Sequence, residues 1–212
     1  MDIKDNLLTL ADGNEMPQEG FGLYKVDGQA TMNQAVKKAY EDGYRLFDTA
    51  QLYGNEQEVG TAFKQLAIPR DNIFVTTKVA EENQGYDKAI ESVKESLRKL
   101  QMDYVDLLLV HWPIERSFFD TWRAFEEMKK EGLTRSIGVM PVVDQIELHP
   151  LLTQKPLLQF NHQHQIVTQA WSPLGRGAVL NEPVLKDIAV AHNKSTAQII
   201  LRWHFQNGVS FI

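Results

Sequence analysis

The chain has 212 residues, 43% hydrophobic and 24% charged, with a net charge of −6 and no cysteine. That length suits one domain of barrel size or two smaller ones, and the acidic balance argues against a polyanionic partner such as nucleic acid. Without thiols neither disulfides nor thiolate chemistry is available, which fits a reducing compartment. The start, Met1-Asp2-Ile3-Lys4-Asp5, is not a basic, apolar leader, and no apolar run nears the roughly 20 residues that span a bilayer. A cytoplasmic protein with no membrane partner is expected.

In chain order, Leu7-Leu8-Thr9-Leu10, the turn-forming Asp12-Gly13-Asn14 and Glu15-Met16-Pro17 read as a hairpin. Phe21–Lys25 reads as the next strand. Thr31 is placed to cap a helix with Met32, Ala35, Val36, Ala39 and Tyr40 on one face. Gly43 then closes that helix in the left-handed conformation. A short strand, Arg45–Phe47, delivers Asp48 at its far end, and Tyr53 follows just before Asn55, read as the cap of a new helix. That helix carries Val59, Ala62, Phe63 and Leu66. Ile73–Lys78 is a β-branched strand, Asp87–Leu100 an amphipathic helix, and Val105–His111 an apolar run suited to a strand covered on both faces. A helix with Phe118, Trp122 and Phe125 leads to strands Arg135–Val139 and Val142–Leu148. A helix near Thr153–His162, strand Ile166–Ala170, helices Pro183–His192 and Ser195–Gln206 and a last apolar piece, Val209–Ile212, complete the chain.

Strand-helix units repeated with short connections imply a parallel sheet, because parallel neighbours need a crossover. Eight candidate parallel strands start near Phe21, Arg45, Ile73, Val105, Arg135, Val142, Ile166 and Val209. Eight is the closure number of the (β/α)8 barrel, whose chemistry sits at the carboxyl ends of its strands. The expectation is an α/β protein, one (β/α)8 TIM-barrel domain over residues 1–212 with an N-terminal β-hairpin. An open doubly wound sheet is disfavoured because no G-x-G-x-x-G follows the first strand.

Asp48, Lys78 and His111 end three successive strands, and Tyr53 lies in the loop after the first of them. Strand ends about 4.8 Å apart can converge on one pocket. The set suits carbonyl reduction. A tyrosine is a sluggish acid at neutral pH; a nearby ammonium would favour its phenolate and lower its pKa. A carboxylate would keep that ammonium charged, and a histidine would hydrogen-bond the carbonyl oxygen as negative charge develops. Each residue alone has a plainer reading: Asp48 as a turn cap, Tyr53 as a surface aromatic, Lys78 as a solvated strand end, His111 as a packed histidine. Their convergence outweighs those readings.

The stretches Gly43–Ala50 with Tyr53-Gly54-Asn55-Glu56, Thr76-Thr77-Lys78, Leu109–Pro113 and Asp144–Pro150 resemble the aldo-keto reductases, nearest to the 2,5-diketo-gluconate and methylglyoxal reductase branch. The resemblance implies a catalytic tetrad of Asp48, Tyr53, Lys78 and His111, with Tyr53 as proton donor, and NADPH as cofactor. It places Gln145 on the nicotinamide carboxamide and Trp171 on the nicotinamide ring. Ser172, Pro173, Leu174 and Gly175 fall over the pyrophosphate. Gly22, Leu23 and Tyr24 match the loop after the first barrel strand. Tyr24 stands where the family often has a pocket tryptophan and Ala80 where it often has an aromatic, so the substrate side is Tyr24, Ala80, His111 and Trp112. A monomer acting on a small carbonyl substrate, with no metal, is implied. A regulatory, non-enzymatic barrel that binds a protein partner is the alternative; a Schiff-base lyase using Lys78 is disfavoured because Asp48 would hold the amine protonated.

Two departures stand out. After Ile137-Gly138-Val139 the family continues with a serine-asparagine pair and a helix, whereas here Met140-Pro141-Val142 follows directly. A parallel crossover takes about a dozen residues or more. The expectation is that Val139 and Met140 are not covalent neighbours, that a crossover helix is missing between them, and that a 2′-phosphate-gripping segment is missing beyond Ile212. A cofactor-free state would follow.

Overall fold

A computed structural model describes residues 6–139 and 144–212. Contacts divide these into two compact units, residues 20–139 and residues 6–19 with 144–212. The expected break between Val139 and Met140 lies outside the described residues.

The chain opens with the hairpin of β1 (Leu7–Thr9) and β2 (Glu15–Pro17), which belongs to the second unit. The first unit then alternates β3 (Gly20–Gly22), α1 (Gln29–Glu41), β4 (Leu46–Asp48), α2 (Glu56–Gln65), β5 (Phe74–Val79), α3 (Tyr86–Leu100), β6 (Val105–Val110), α4 (Phe118–Lys130) and β7 (Thr134–Val139). Its sheet runs β3-β4-β5-β6-β7, every pair parallel, as crossover helices require.

The register sorts the side chains. Phe47 pairs with Val75, Thr77 with Leu108 and Val79 with Val110. Phe47, Val75, Val79, Leu108 and Val110 join one apolar cluster with Val36 of α1, Phe63 of α2, Val93 of α3 and Phe125 of α4. Each such side chain contributes roughly 1.5–3 kcal/mol on burial. All six residues of β6 are buried, as a strand covered on both faces should be. At the start of β6, Asp106 is held by Arg70 at 2.6 Å, by Arg135 at 3.4 Å and by the Val75 N–H at 2.8 Å, an internal clamp the apolar run concealed.

Three local expectations change. Strand β3 ends at Gly22, because the chain turns on a Val26 N–H to Leu23 carbonyl bond with Lys25 at φ 62°. Helix α1 begins at Gln29 with Gly28 at its cap, so Thr31 lies inside it. Asn55 occupies the cap position of α2 but its side chain makes no capping bond. Gly43 behaves as expected: at φ 101° it lets Tyr44 donate back to the Ala39 carbonyl.

The second unit holds β8 (Asp144–Glu147), α5 (Lys155–Gln163), β9 (Thr168–Trp171), α6 (Pro183–Ala191), α7 (Thr196–Gln206) and β10 (Ser210–Phe211). Its sheet order is β10-β9-β8, also parallel. Leu148, Ala170, Val209 and Phe211 form its core. The hairpin is tied on by the Gln18 amide, which donates to the Phe205 and Val209 carbonyls at 3.2 and 3.1 Å. Ser195 starts α7 with a capping box to Gln198. Among the described residues no helix is long and apolar enough to cross a membrane.

Helices α2 and α3 approach closely at Gly60, where a Cβ would stand 2.6 Å from the Lys99 carbonyl oxygen and closer still to that of Leu100. Gly60→Ala is expected to lower the denaturant midpoint by about 1–3 kcal/mol of stability, since the obstruction is backbone and cannot rotate away. Denaturant unfolding checks this, and an unchanged midpoint would remove the constraint.

Candidate active site

Register places the polar strand ends on one face. Asp48 pairs with Thr76 and Lys78 with Leu109, so Asp48, Lys78 and His111 share the side opposite the helix-covered cluster. Gly22 pairs with Asp48 on that same side. Tyr53 arrives from the single turn Gln51–Tyr53, closed by Gly54 at φ 68°.

Lys78 is 0% exposed and Asp48 1%. An ammonium has three N–H donors, and all three are used: one to Asp48 Oδ1, one to the Thr49 carbonyl at 3.1 Å and one to the Tyr53 hydroxyl at 3.2 Å. The Tyr53 ring stands 5.0 Å from the Tyr24 ring and 5.7 Å from His111, and His111 stacks with Trp112 at 6.1 Å. His111 Nδ1 is buried without a partner among the described residues, so Nε2 is the ring nitrogen free to act outward.

Burial lowers the Lys78 pKa, and Asp48 works against that shift. It also lowers His111, to about 4, with Lys78 adding to the effect, so the imidazole is neutral at pH 7. Tyr53 corrects the expectation of a lowered phenol. Burial first, then the charges of Asp48 and Tyr24, push it above its ordinary value, because a phenolate taken out of water beside a carboxylate is disfavoured.

The four tetrad residues are thus brought together. Of the other candidates in this unit, Tyr24 is 61% exposed and Trp112 49%, and Gly22 is exposed. Leu23 joins the apolar cluster and its backbone is spent within the protein, the N–H on the Asp48 carbonyl and the carbonyl on the Val26 N–H, and Ala80 at 1% exposure offers little surface. Asn55 is buried where a surface cap was expected. It accepts the Thr49 hydroxyl at 2.8 Å and donates to the Leu23 carbonyl at 2.8 Å, fixing the Tyr24 loop beside Asp48.

In the second unit Gln145 is 3% exposed and donates to Gln169 at 2.6 Å, which donates to Ser210 at 3.0 Å. Trp171 ends β9, and the loop after it has positive φ at Ser172, Gly175, Arg176 and Gly177. The Arg176 guanidinium stands 5.7 Å over the Trp171 ring. His204, to which sequence reading gave no role, lies buried under this loop with Nε2 3.3 Å from the Pro173 carbonyl, and burial holds its pKa near 4. Nothing in its spacing announced that contact.

Breaking the Lys78–Asp48 pair strands a buried charge. Lys78→Met is expected to cost about 3–5 kcal/mol in denaturant unfolding, and adding Asp48→Asn should recover part of that loss. A double variant no more stable than Lys78→Met would show that the pair is not coupled.

The sequence profile described as "Aldo/keto reductase family" matches residues 20–140, more than half the chain and all four converging residues. Glyoxal reductase of Bacillus subtilis (strain 168) is 42% identical over 98% of the chain and 81% of its own length. That match spans 224 positions against 212 residues here, so the relative carries residues with no counterpart in this chain. The crystal structure of an aldo/keto reductase from Brucella melitensis has a TM-score of 0.90 at 43% identity, covering 97% of this chain and 86% of that one. A Gox0644 mutant in complex with NADPH gives 0.89 at 36% identity, covering 98% and 82%. The fold is the (β/α)8 barrel of these structures, with parallel strands β3 to β7 in the first unit and β8 to β10 in the second. The chain belongs to the aldo/keto reductase family.

Proposed function

We propose that Tyr53 is the proton donor in the NADPH-dependent reduction of a small aldehyde or ketone to an alcohol. The observation that carries this reading is the saturated Lys78 ammonium. Because Tyr53 oxygen accepts from Lys78, its own proton is directed away, toward a substrate. A phenol held above its ordinary pKa is fully protonated at neutral pH, and an alkoxide is a much stronger base than a phenolate, so the transfer runs downhill. The phenolate left behind faces the Lys78 ammonium, which Asp48 keeps charged. A neutral His111 donating from Nε2 adds a second hydrogen bond to the oxygen as its charge grows.

NADPH, when bound, supplies the hydride to the carbonyl carbon. The residues of the second unit fit it: Trp171 offers an aromatic face, and the turn Ser172, Pro173, Leu174 and Gly175, with positive φ at Ser172 and Gly175, would lie against the pyrophosphate with the Arg176 cation beside it. Gln145 would take the carboxamide, and Gly22, Leu23 and Tyr24 would add cofactor contacts from the loop after β3.

Relatives named glyoxal reductase and methylglyoxal reductase DkgA (Escherichia coli), both about 40% identical, favour short dicarbonyl substrates. Tyr24 and Trp112 supply the aromatic walls, with Ala80 behind them. We take residues 1–212 as one domain of a cytoplasmic monomer without nucleic-acid partners. The saturated tetrad favours turnover over a partner-binding barrel, since a regulatory fold has no need of a buried cation aimed at a phenol.

Screening aldehydes, dicarbonyls and keto-sugars for oxidation of reduced nicotinamide tests the function. Tyr53→Phe should lower kcat by on the order of 10² or more while fold and cofactor affinity persist; a variant with near-parental turnover would reassign the acid. The acid side of the pH profile offers a separate check. His111 stays neutral until about 4, so reduction should show no loss centred on 6.5, histidine's ordinary value. The same depressed pKa means that the unfolded chain binds a proton below 6.5 that the native chain refuses until about 4, and stability falls through that window on acidification. A rate profile breaking at 6.5 would place His111 in water-like surroundings.

A further inference from the structure

On β5, Thr77 lies between Thr76 and Lys78 and points the other way, into the layer where α2 and α3 cover the sheet. There its hydroxyl donates to Glu56 Oε1 at 2.6 Å. Glu56 is 3% exposed, and burial raises its pKa. Its second oxygen accepts from the Ser96 hydroxyl at 3.1 Å. Ser96 in turn accepts from Gln51 Nε2 at 3.1 Å, and Gln51 Oε1 accepts from the Ala80 N–H at 3.0 Å and Asn83 Nδ2 at 2.9 Å. A desolvated carboxyl is a costly component of a helix-sheet layer, and an apolar side chain of similar shape would often serve stability as well.

The direction of this chain of hydrogen bonds is imposed from one end. A backbone N–H can only donate, so Ala80 holds Gln51 Oε1 toward itself. Gln51 Nε2 then faces Ser96, whose own proton is sent on to Glu56. Glu56 must be an acceptor at that point, whatever it does toward Thr77, whose hydroxyl can donate or accept. Gln51 is also the first residue of the turn that carries Tyr53. The chain therefore ties that turn at one end and the residue before Lys78 at the other.

We infer that Glu56 and Ser96 are positioning residues for the reduction: through Gln51 they hold the Tyr53 turn at a fixed distance from the β5 segment that carries Lys78. This rests on the reading of Tyr53 as proton donor. Misplacement of a reacting group by about 1 Å can cost on the order of 10²-fold in rate. Besides the Lys78 bond to the Tyr53 hydroxyl, the turn is closed by two backbone bonds of its own, from the Tyr53 N–H to the Ala50 carbonyl and from the Gly54 N–H to the Gln51 carbonyl.

The test compares Ser96→Ala, Glu56→Leu, Glu56→Gln and Tyr53→Phe for kcat, substrate KM, cofactor Kd by quenching of protein fluorescence, and folded state by circular dichroism. Ser96→Ala and Glu56→Leu should lower kcat about 10- to 100-fold with cofactor Kd within about twofold of the parent. Glu56→Gln should stay within about threefold in kcat, because its amide oxygen still accepts from Ser96 while its nitrogen donates to Thr77. If Glu56→Leu fails to fold, Ser96→Ala decides alone. Parental kcat in Ser96→Ala beside an inactive Tyr53→Phe overturns the positioning role and leaves the proton donor standing. Glu56→Gln as impaired as Glu56→Leu would show that charge, not the hydrogen-bond chain, matters. Loss of cofactor affinity in step with kcat would mark a general loosening instead. An active Tyr53→Phe removes the premise.

Discussion

A lysine ammonium with no exposed surface must find every partner inside the protein, and Lys78 finds three from different parts of the chain: the Asp48 carboxylate, the Thr49 carbonyl and the Tyr53 hydroxyl. Leaving any donor unmatched in that environment would cost several kcal/mol. The site is therefore built around a desolvation problem whose solution dictates geometry. Strand β4 must end where its last residue can reach β5, the chain must turn at once to bring Tyr53 back, and both strands must be parallel and in the observed register. The apolar cluster on the far side of the sheet is what makes that register stable.

The same alternation gives β5 two different polar duties. Inward-facing Lys78 meets the carboxylate and phenol; outward-facing Thr77 meets Glu56 between α2 and α3. In the second unit, parallel register lines up Gln145, Gln169 and Ser210 as consecutive hydrogen-bonding side chains across three strands. In both units polar side chains are buried in files, each hydrogen-bonded to the next.

Burial also sets the charge state. It pushes Tyr53 up and His111 down, so both groups that would face a carbonyl oxygen are neutral donors at pH 7, with one ion pair behind them. This differs from a site in which an ammonium turns a tyrosine into a phenolate in the resting state. On the proposed role of Tyr53, the ammonium would act on the product of proton transfer, since it already stands beside the oxygen that would become negative.

Much of this was legible in the residues themselves. Alternating strand and helix patterns, glycine at position 43 and the apolar stripes follow from local periodicity and backbone freedom, and the structure repeats them nearly in place. Asp48, Lys78 and His111 were identifiable because a charged or titratable side chain closing a buried apolar strand has few structural uses. What sequence could not supply was everything that depends on which face a side chain takes and who stands opposite. Asn55 has the composition of a helix cap and sits at the cap position, yet tertiary contacts with Thr49 and Leu23 claim its amide. Glu56, Ser96, Asp106 and His204 look like ordinary polar residues of helices and strands until the fold buries them against residues roughly 20 to 40 positions away. The direction of the Tyr53 pKa shift was misread for the same reason: pair charges can be guessed from sequence, but desolvation is a property of the packed whole, and here it is the larger effect.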